Sequence, residues 1–431
     1  MFMQPLCAQS AWTLRQCCDY AVEHNITVKQ YDNLRQRQEI QLSTARNQRL
    51  PNLNASANQN FSFGRGLTAE NTYTNTNTSS TSFSLGTSVP LFTGFQIPNS
   101  IRLNQLNLEA ATQELEKAKN DIRMQVAQAY VQILYCTEIS DVARRQISID
   151  SAQVARLQAL LHVGKASEAQ LAQQQATMAQ SQLTATQADN NLQLAILALT
   201  QLLELPSPEG FSITRPVLTD MDSANWQAGL PSPDAIYAEA LGIKPEVQAQ
   251  QLRLQSAESS IKIAQSGLYP TLSFSAGLGS NYYKTSGFPA KGFGEQMKNN
   301  FSQYLGFSLN VPIFNRFSVR NSIRSARKER DNQQLTLDNT KKTLYKEIQQ
   351  AYYNTVAAGQ KLISSDQARQ SSETAFRLTQ AKYEQGQTTI TEFNEAKNNF
   401  LKAESDLTQA RYEYLYQQAL IQFYRGQELS F

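Results

Sequence analysis

The residues best placed to do chemistry are two acidic side chains near the C-terminal end of the chain. Glu392 and Glu395 lie three positions apart, shortly after Gly386, so a helix would present both carboxylates on one face. Chemistry alone does not distinguish a functional acidic pair from an ordinary solvated helix face, because acidic pairs at this spacing are common.

The sequence contains no catalytic constellation. It has no Gly-rich phosphate loop, no Gly-x-Ser-x-Gly motif and no histidine-bearing cluster, since His24 and His162 stand alone. We therefore expect no enzyme, no cofactor and no metal site. The cysteines fit no zinc spacing, and we expect them to be buried small apolar residues: Cys7, Cys17, Cys18 and Cys136.

Composition excludes several other classes of protein. The net charge of the 431 residues is +3, and the basic residues are scattered along the chain, unlike those of a nucleic-acid-binding face. The longest apolar run, Leu194 to Leu199, is far shorter than the roughly 20 residues of a membrane-spanning helix. Residues 1–9 suggest either the remnant of a secretory signal peptide or a disordered N-terminus. No lipid-anchor pattern precedes Cys7.

The chain holds two copies of one pattern, related by a constant offset along the sequence. Asn99-Ser100-Ile101-Arg102 recurs as Asn321-Ser322-Ile323-Arg324, and Gly164 falls on Gly386. Val89-Pro90-Leu91-Phe92 recurs as Val311-Pro312-Ile313-Phe314 at the same offset. Such a duplication predicts two similar structural repeats, residues 10–204 and 233–426, with a proline-rich linker at 205–232 and a short tail at 427–431.

Each repeat has the same predicted order of elements. A helix comes first, over residues 12–49 and 233–266. Alternating apolar and polar residues then predict two strands, at about 52–64 and 79–92 in the first repeat and about 271–283 and 301–314 in the second. Polar stretches at 65–78 and 280–300 are predicted as exposed loops.

Long helical hairpins complete each repeat, over residues 97–204 and 318–426. Apolar or small residues recur every seven positions, as at Ile101, Leu108, Leu115 and Ile122, which predicts coiled-coil packing. The stretch from Ile97 to Val163 has no glycine and would form roughly 100 Å of helix. Gly164 and Gly386 are predicted turns between the two helices of each hairpin.

Four strands are too few to close a membrane barrel, whose known minimum is about eight. An open sheet in lipid would leave backbone groups unpaired, so the sheet lies outside the membrane or several chains share one barrel. Two chains would supply eight strands and three would supply twelve. The alternative is a soluble coiled-coil scaffold with a small β domain. The scarcity of charge speaks against it, because Arg65 and Glu70 are the only charged residues between Pro51 and Ile101.

This order of elements resembles that of the TolC-like outer-membrane efflux proteins, the outer membrane factors of tripartite exporters. The Val-Pro-Leu-Phe-Thr-Gly junction at 89–94 and the turns at 163–167 and 382–393 carry the resemblance. The resemblance implies an α+β membrane protein and a homotrimer. Its shared twelve-stranded β-barrel would continue as a helical tube in the periplasm. It also implies a passive exit channel that receives substrate from an inner-membrane RND-type or ABC-type pump through a periplasmic adaptor.

The same resemblance implies roles for residues at the two turns. Glu392 and Glu395 match acidic residues that ring the inner mouth, where threefold symmetry would place six carboxylates that favour cations and hinder anions. Tyr383 matches a gate residue whose partner position is Gln170 here. The basic residue of the family's latch is replaced by Thr388, so a different bond is expected, and Tyr383 as a packed helix-end aromatic is the alternative. The adaptor would dock on the turns, at Val163, Gly164, Lys165, Ala166 and Ser167, and at Gly386, Gln387 and Thr388.

Overall fold

The computed structural model describes residues 11–67, 71–216 and 230–429. The first repeat contains α1 (Leu14–His24), α2 (Ile26–Asn47), β1 (Asn52–Leu67), β2 (Tyr73–Thr93), α3 (Gln96–His162) and α4 (Glu168–Leu202). The second contains α5 (Pro233–Ile243), α6 (Pro245–Ser266), β3 (Thr271–Thr285), α7 (Phe293–Asn299), β4 (Ser302–Asn310), α8 (Ser318–Glu384) and α9 (Ile390–Tyr424). The predicted N-terminal segment, including Cys7, and much of the predicted linker lie outside the described residues.

The opening helix of each repeat is broken, where the sequence predicted one continuous helix. Asn25 separates α1 from α2, and Lys244 separates α5 from α6, each with an extended backbone at ψ 132° and 123°. Pro245 accounts for the second break, because the residue before a proline is driven out of the helical region. In the first repeat, Asn25 Oδ1 accepts from the Thr27 N–H at 2.8 Å and so starts a new helix.

The same two break residues also cap the last helix of their own repeat. Asn25 Nδ2 donates to the Leu202 carbonyl at 3.0 Å, and Lys244 Nζ donates to the Phe423 carbonyl at 3.2 Å. The Lys244 ammonium also lies 4.1 Å from the centre of the Phe423 ring. Because the final carbonyls of a helix have no partner within it, each cap satisfies a group that burial would otherwise leave unpaired.

The four strands form one antiparallel sheet in the order β1-β2-β3-β4. The central pair, β2 with β3, joins the two repeats, with Gly86 opposite Gly277. β1 and β2 extend into the predicted loop at 65–78, and the predicted loop at 280–300 contains the end of β3 and α7. The ring of Tyr304 lies on Gly277, where a Cβ would come within 2.5 Å of it.

One face of the sheet is apolar and remains exposed in the single chain. Leu305, Phe307 and Leu309 are 65–79% exposed. Phe307 lies directly opposite Phe274 in the register, with ring centres 5.2 Å apart. A patch of this kind on a single chain marks a surface that contacts something other than water.

The predicted long helices are present and keep the register of the repeat. α3 and α8 each contain 67 residues, and α4 and α9 each contain 35. No helix in the described ranges has an apolar stretch long enough to cross a membrane. Cys17, Cys18 and Cys136 are buried and unbridged, as predicted.

The chain divides into two compact units, and the division does not follow the duplication. One unit comprises residues 1–34, 112–249 and 338–431, and its described part is mainly helical. Its core includes Leu14, Val126, Leu134 and Leu199. The other unit comprises residues 35–111 and 250–337, and holds the sheet with the adjoining parts of the helices. Each unit therefore takes segments from both repeats, and the α+β class predicted from the sequence is confirmed.

Candidate gate and docking turns

The first helical turn is built by a glycine and a capping serine. α3 ends at His162, and Gly164 has a φ of +70°, a conformation that glycine adopts at little cost. The Lys165 N–H donates to the Leu160 carbonyl at 2.8 Å, and the Gly164 N–H donates to the Leu161 carbonyl at 3.0 Å. These two bonds close the helix in a Schellman motif.

The second turn repeats this geometry at the equivalent place in the second repeat. Gly386 has a φ of +75°, its N–H donates to the Tyr383 carbonyl at 3.0 Å, and the Gln387 N–H donates to the Lys382 carbonyl at 2.8 Å. Thr389 caps α9 by accepting from the Glu392 N–H at 3.3 Å. Both predicted turns therefore have a defined backbone, with open space around each glycine.

Glu392 and Glu395 are both exposed, on the first turns of α9. The Thr388 hydroxyl donates to the Glu392 carboxylate. A carboxylate at this place also complements the partial positive charge of the helix N-terminus. The two side chains therefore lie next to the second turn.

Tyr383 is a packed aromatic side chain. Its ring stacks on Phe393, with centres 4.9 Å apart and planes 25° apart, and the Arg156 guanidinium lies 5.1 Å from the ring centre. Phe393 itself is 1% exposed. Burial raises the pKa of the Tyr383 hydroxyl, and the nearby Arg156 partly opposes this shift.

Gln170 serves the first turn itself. Its side-chain oxygen accepts from the Ser167 N–H at 2.9 Å, while its own N–H donates to Ser167 Oγ at 3.2 Å. This reciprocal capping box starts α4. Among the described contacts, none joins Gln170 to Tyr383.

The helical unit also contains a buried polar cluster that was not predicted from the sequence. Asp150 of α3 and Lys397 of α9 form an ion pair in which both side chains are 0% exposed. A signal was present, because the heptad series that ends at Cys136 continues by sevens to Ala143, Asp150 and Leu157. A charged residue at a core position of a coiled coil indicates a specific buried partner.

The fold defines the class of the protein. The outer membrane protein VceC of Vibrio cholerae superposes with a TM-score of 0.78 at 17% identity, covering 97% of each chain. The CmeC outer membrane channel of Campylobacter jejuni superposes with a TM-score of 0.79 at 18% identity, covering 97% of this chain and 87% of its own. The chain therefore has the fold of the outer-membrane channel proteins.

The family follows from the sequence. A family model described as outer membrane efflux protein matches residues 20–204 and 236–427, which is most of the chain. The chain belongs to this family, as its sequence predicted, and its location is the outer membrane. The family is one of channel-type efflux proteins, not of enzymes.

Individual relatives are distant. The pyoverdine export outer membrane protein OpmQ of Pseudomonas aeruginosa is 26% identical over 298 residues, or 66% of this chain and 57% of that protein. The outer membrane protein TolC of Escherichia coli is 25% identical over 235 residues, or 54% of this chain and 46% of TolC. The matches thus span about half the length of these relatives.

Proposed function

We propose that the protein is a passive exit channel in the outer membrane and the last component of a tripartite efflux or secretion system. The observation that carries this proposal is that one chain combines an exposed apolar sheet with very long helices. A four-stranded sheet exposes an apolar face, and helices of 67 residues, about 100 Å long, continue from it. Such helices are far longer than the roughly 30 Å hydrocarbon core of a bilayer.

The proposed functional unit is a homotrimer. The outer strands β1 and β4 each pair with one strand among the described residues. In lipid, an unpaired strand edge costs several kcal/mol for each backbone group, so the sheet requires closure by other chains. Three copies would supply twelve strands, an even number within the range of outer-membrane barrels. Their helical hairpins would form the periplasmic tube.

The proposed partners are a periplasmic adaptor and an inner-membrane pump of the RND or ABC type. The docking surface would comprise the turn at 163–167 and the turn at 386–388. Val163 is 62% exposed, and the rest of both turns is mainly exposed. The pump would supply the energy of transport, since the channel would be passive.

The proposed gate is the ring that Glu392 and Glu395 would form in the trimer. Six carboxylates around a narrow opening would favour cations over anions. Support comes from their exposure and from their position one helical turn apart at the start of α9.

The test combines assembly with conductance. The full-length protein should purify from the outer membrane as a trimer by native mass spectrometry and conduct ions in planar bilayers. The variant E392Q/E395Q should lower cation selectivity, measured as a reversal potential across a salt gradient. The matched control E209Q/E428Q removes two exposed carboxylates outside the α9 turn and should leave the selectivity unchanged. A soluble monomer would contradict the channel proposal and favour the alternative of a soluble coiled-coil scaffold. A conducting trimer whose selectivity is unchanged in E392Q/E395Q would contradict the gate proposal alone.

A further inference from the structure

The buried cluster around Asp150 joins three helices of the helical unit. The Lys397 ammonium of α9 donates to Asp150 Oδ1 of α3. Ser181 of α4 donates to Asp150 Oδ2 at 2.6 Å, and Gln174 of α4 donates to Asp150 Oδ1 at 3.2 Å. Asp150, Lys397 and Gln174 are 0% exposed and Ser181 is 8% exposed.

Every acceptor site of the carboxylate is used. Gln146 adds a fourth donor, at 2.9 Å from Asp150 Oδ2, and an ionised carboxylate accepts about four hydrogen bonds. Asn394 of α9 extends the cluster by donating to Gln174 Oε1 at 3.1 Å. The cluster thus links α9 to both helices of the first hairpin through bonds that require one relative position.

Repeating heptad positions do not by themselves fix the axial position of α9. The small-residue core formed by Ala143, Ala185 and Ala188, with Ile139 and Ile147 packed against it, lies between α3 and α4 within the first hairpin. Small side chains repeating at heptad positions fit a partner helix almost equally well after a shift of one turn, about 5.4 Å. Such a shift would separate Lys397 from Asp150 and leave each of the two buried charges without an opposite charge.

The second repeat has no counterpart of this cluster. At the offset that relates Gly164 to Gly386, the positions equivalent to Gln146, Asp150, Gln174 and Ser181 hold Ala368, Ser372, Ala396 and Ala403. The positions of the first repeat equivalent to Asn394 and Lys397 hold Ala172 and Gln175. The two repeats therefore share the heptad period, but they differ at the positions of this cluster. The buried charge pair joins α9 to the first hairpin, and the equivalent positions cannot form a second such pair.

We propose that the Asp150–Lys397 cluster is a register pin, which fixes the axial position of α9 against α3 and α4. The best-attested use of a buried polar residue in a coiled coil is of this kind, at some expense of stability. The inference rests on the packing of one chain, so it stands or falls independently of the proposed transport function.

The test is cross-linking that reports register. In full-length protein with its native cysteines replaced, R145C is combined with E404C for the native register, because these side chains form an ion pair at 2.7 Å between α3 and α9. R145C with F400C or T408C reports a shift of one turn in either direction. A short bis-maleimide links the pairs, and mass spectrometry of linked peptides gives the native-to-shifted ratio.

With the cluster intact, the native link should predominate by about 100-fold, as expected when a shift leaves a buried charge unpaired. The apolar variant D150L/K397M should lower the ratio at least tenfold while circular dichroism stays helical. The neutral polar variant D150N/K397Q should also lower it, which preserves the test if the first variant fails to fold. The control K361M/E413Q removes an exposed ion pair between α8 and α9 and should leave the ratio unchanged.

An unchanged ratio in both Asp150 and Lys397 double variants would overturn the pin. An equal fall in the K361M/E413Q control would also overturn it, because any ion pair between helices would then set the register.

Discussion

Tyr383 provides a direct test of how the second turn is held, because its ring and its hydroxyl have different predicted contributions. The ring stacks on Phe393 at 4.9 Å and lies 5.1 Å from the Arg156 guanidinium. None of its described contacts is a hydrogen bond of the hydroxyl. The structure therefore predicts that Y383F keeps the local stability of the second turn and that Y383A lowers it.

The magnitude follows from these two contacts. An aromatic pair contributes about 0.5–1.5 kcal/mol beyond its buried area, and a partly exposed cation–π contact contributes about 0.5–1 kcal/mol. Y383A should therefore cost about 2 kcal/mol of local stability, equal to a roughly 30-fold change in the opening equilibrium. Y383F should cost less than about 0.5 kcal/mol, as for a substitution that removes no partner.

The assay is hydrogen exchange followed by mass spectrometry on peptides that cover residues 378–395, since protection there measures local opening. Tyr130 gives a positive control, because its hydroxyl donates to the Thr214 carbonyl at 2.6 Å. Y130F should reduce protection around residues 211–216 by roughly 1 kcal/mol. The reasoning is refuted if Y383F loses as much protection as Y383A, because the hydroxyl would then hold the turn.

Two further predictions concern backbone strain and thiol chemistry. G94A should lower the melting temperature far more than G164A, although both positions have positive φ. A Cβ at position 94 would lie 2.5 Å from the Ser266 carbonyl oxygen, whereas position 164 has open space. The G164A substitution should therefore cost only the backbone strain, about 1–2 kcal/mol. Burial raises the pKa of Cys17 and Cys18 to about 12, so the folded state favours the thiol form. This contribution to stability is complete below the ordinary thiol pKa of about 8.5, and it is lost progressively as pH rises from there toward 12, because the unfolded thiols ionise first. At pH 8.5, iodoacetamide should modify both residues about 1000-fold more slowly in the folded protein than in urea, where ordinary thiols are half ionised; comparable rates would contradict the burial.

Much of the fold is encoded in local patterns. The constant offset between the two repeats predicted that α3 and α8 would match, and both contain 67 residues. The breaks at Asn25 and Lys244 escaped prediction, although Pro245 carried a signal for the second. The first break depends on Asn25 reaching Thr27 and the Leu202 carbonyl, 177 positions away, which no helical period reveals.

The candidate site was predictable in place but not in contacts. The glycines located both turns, because a helix end that requires positive φ favours glycine. The contacts of the side chains at these turns could not be predicted in the same way. The resemblance left open whether Tyr383 bonds to Gln170 or is a packed helix-end aromatic. In the single chain Gln170 caps α4, and Tyr383 packs on Phe393 and Arg156.

The sequence by itself determined the duplication, the periods of its helices and strands, and the family. These properties arise from neighbours along the chain, where propensity and side-chain spacing act directly. Only the tertiary structure decided that β2 pairs with β3 across the two repeats, and that two compact units would each draw on both. It also decided that Asp150 meets Lys397, 247 positions away. Such pairings depend on which surfaces folding brings together, and a repeated heptad pattern is compatible with more than one of them.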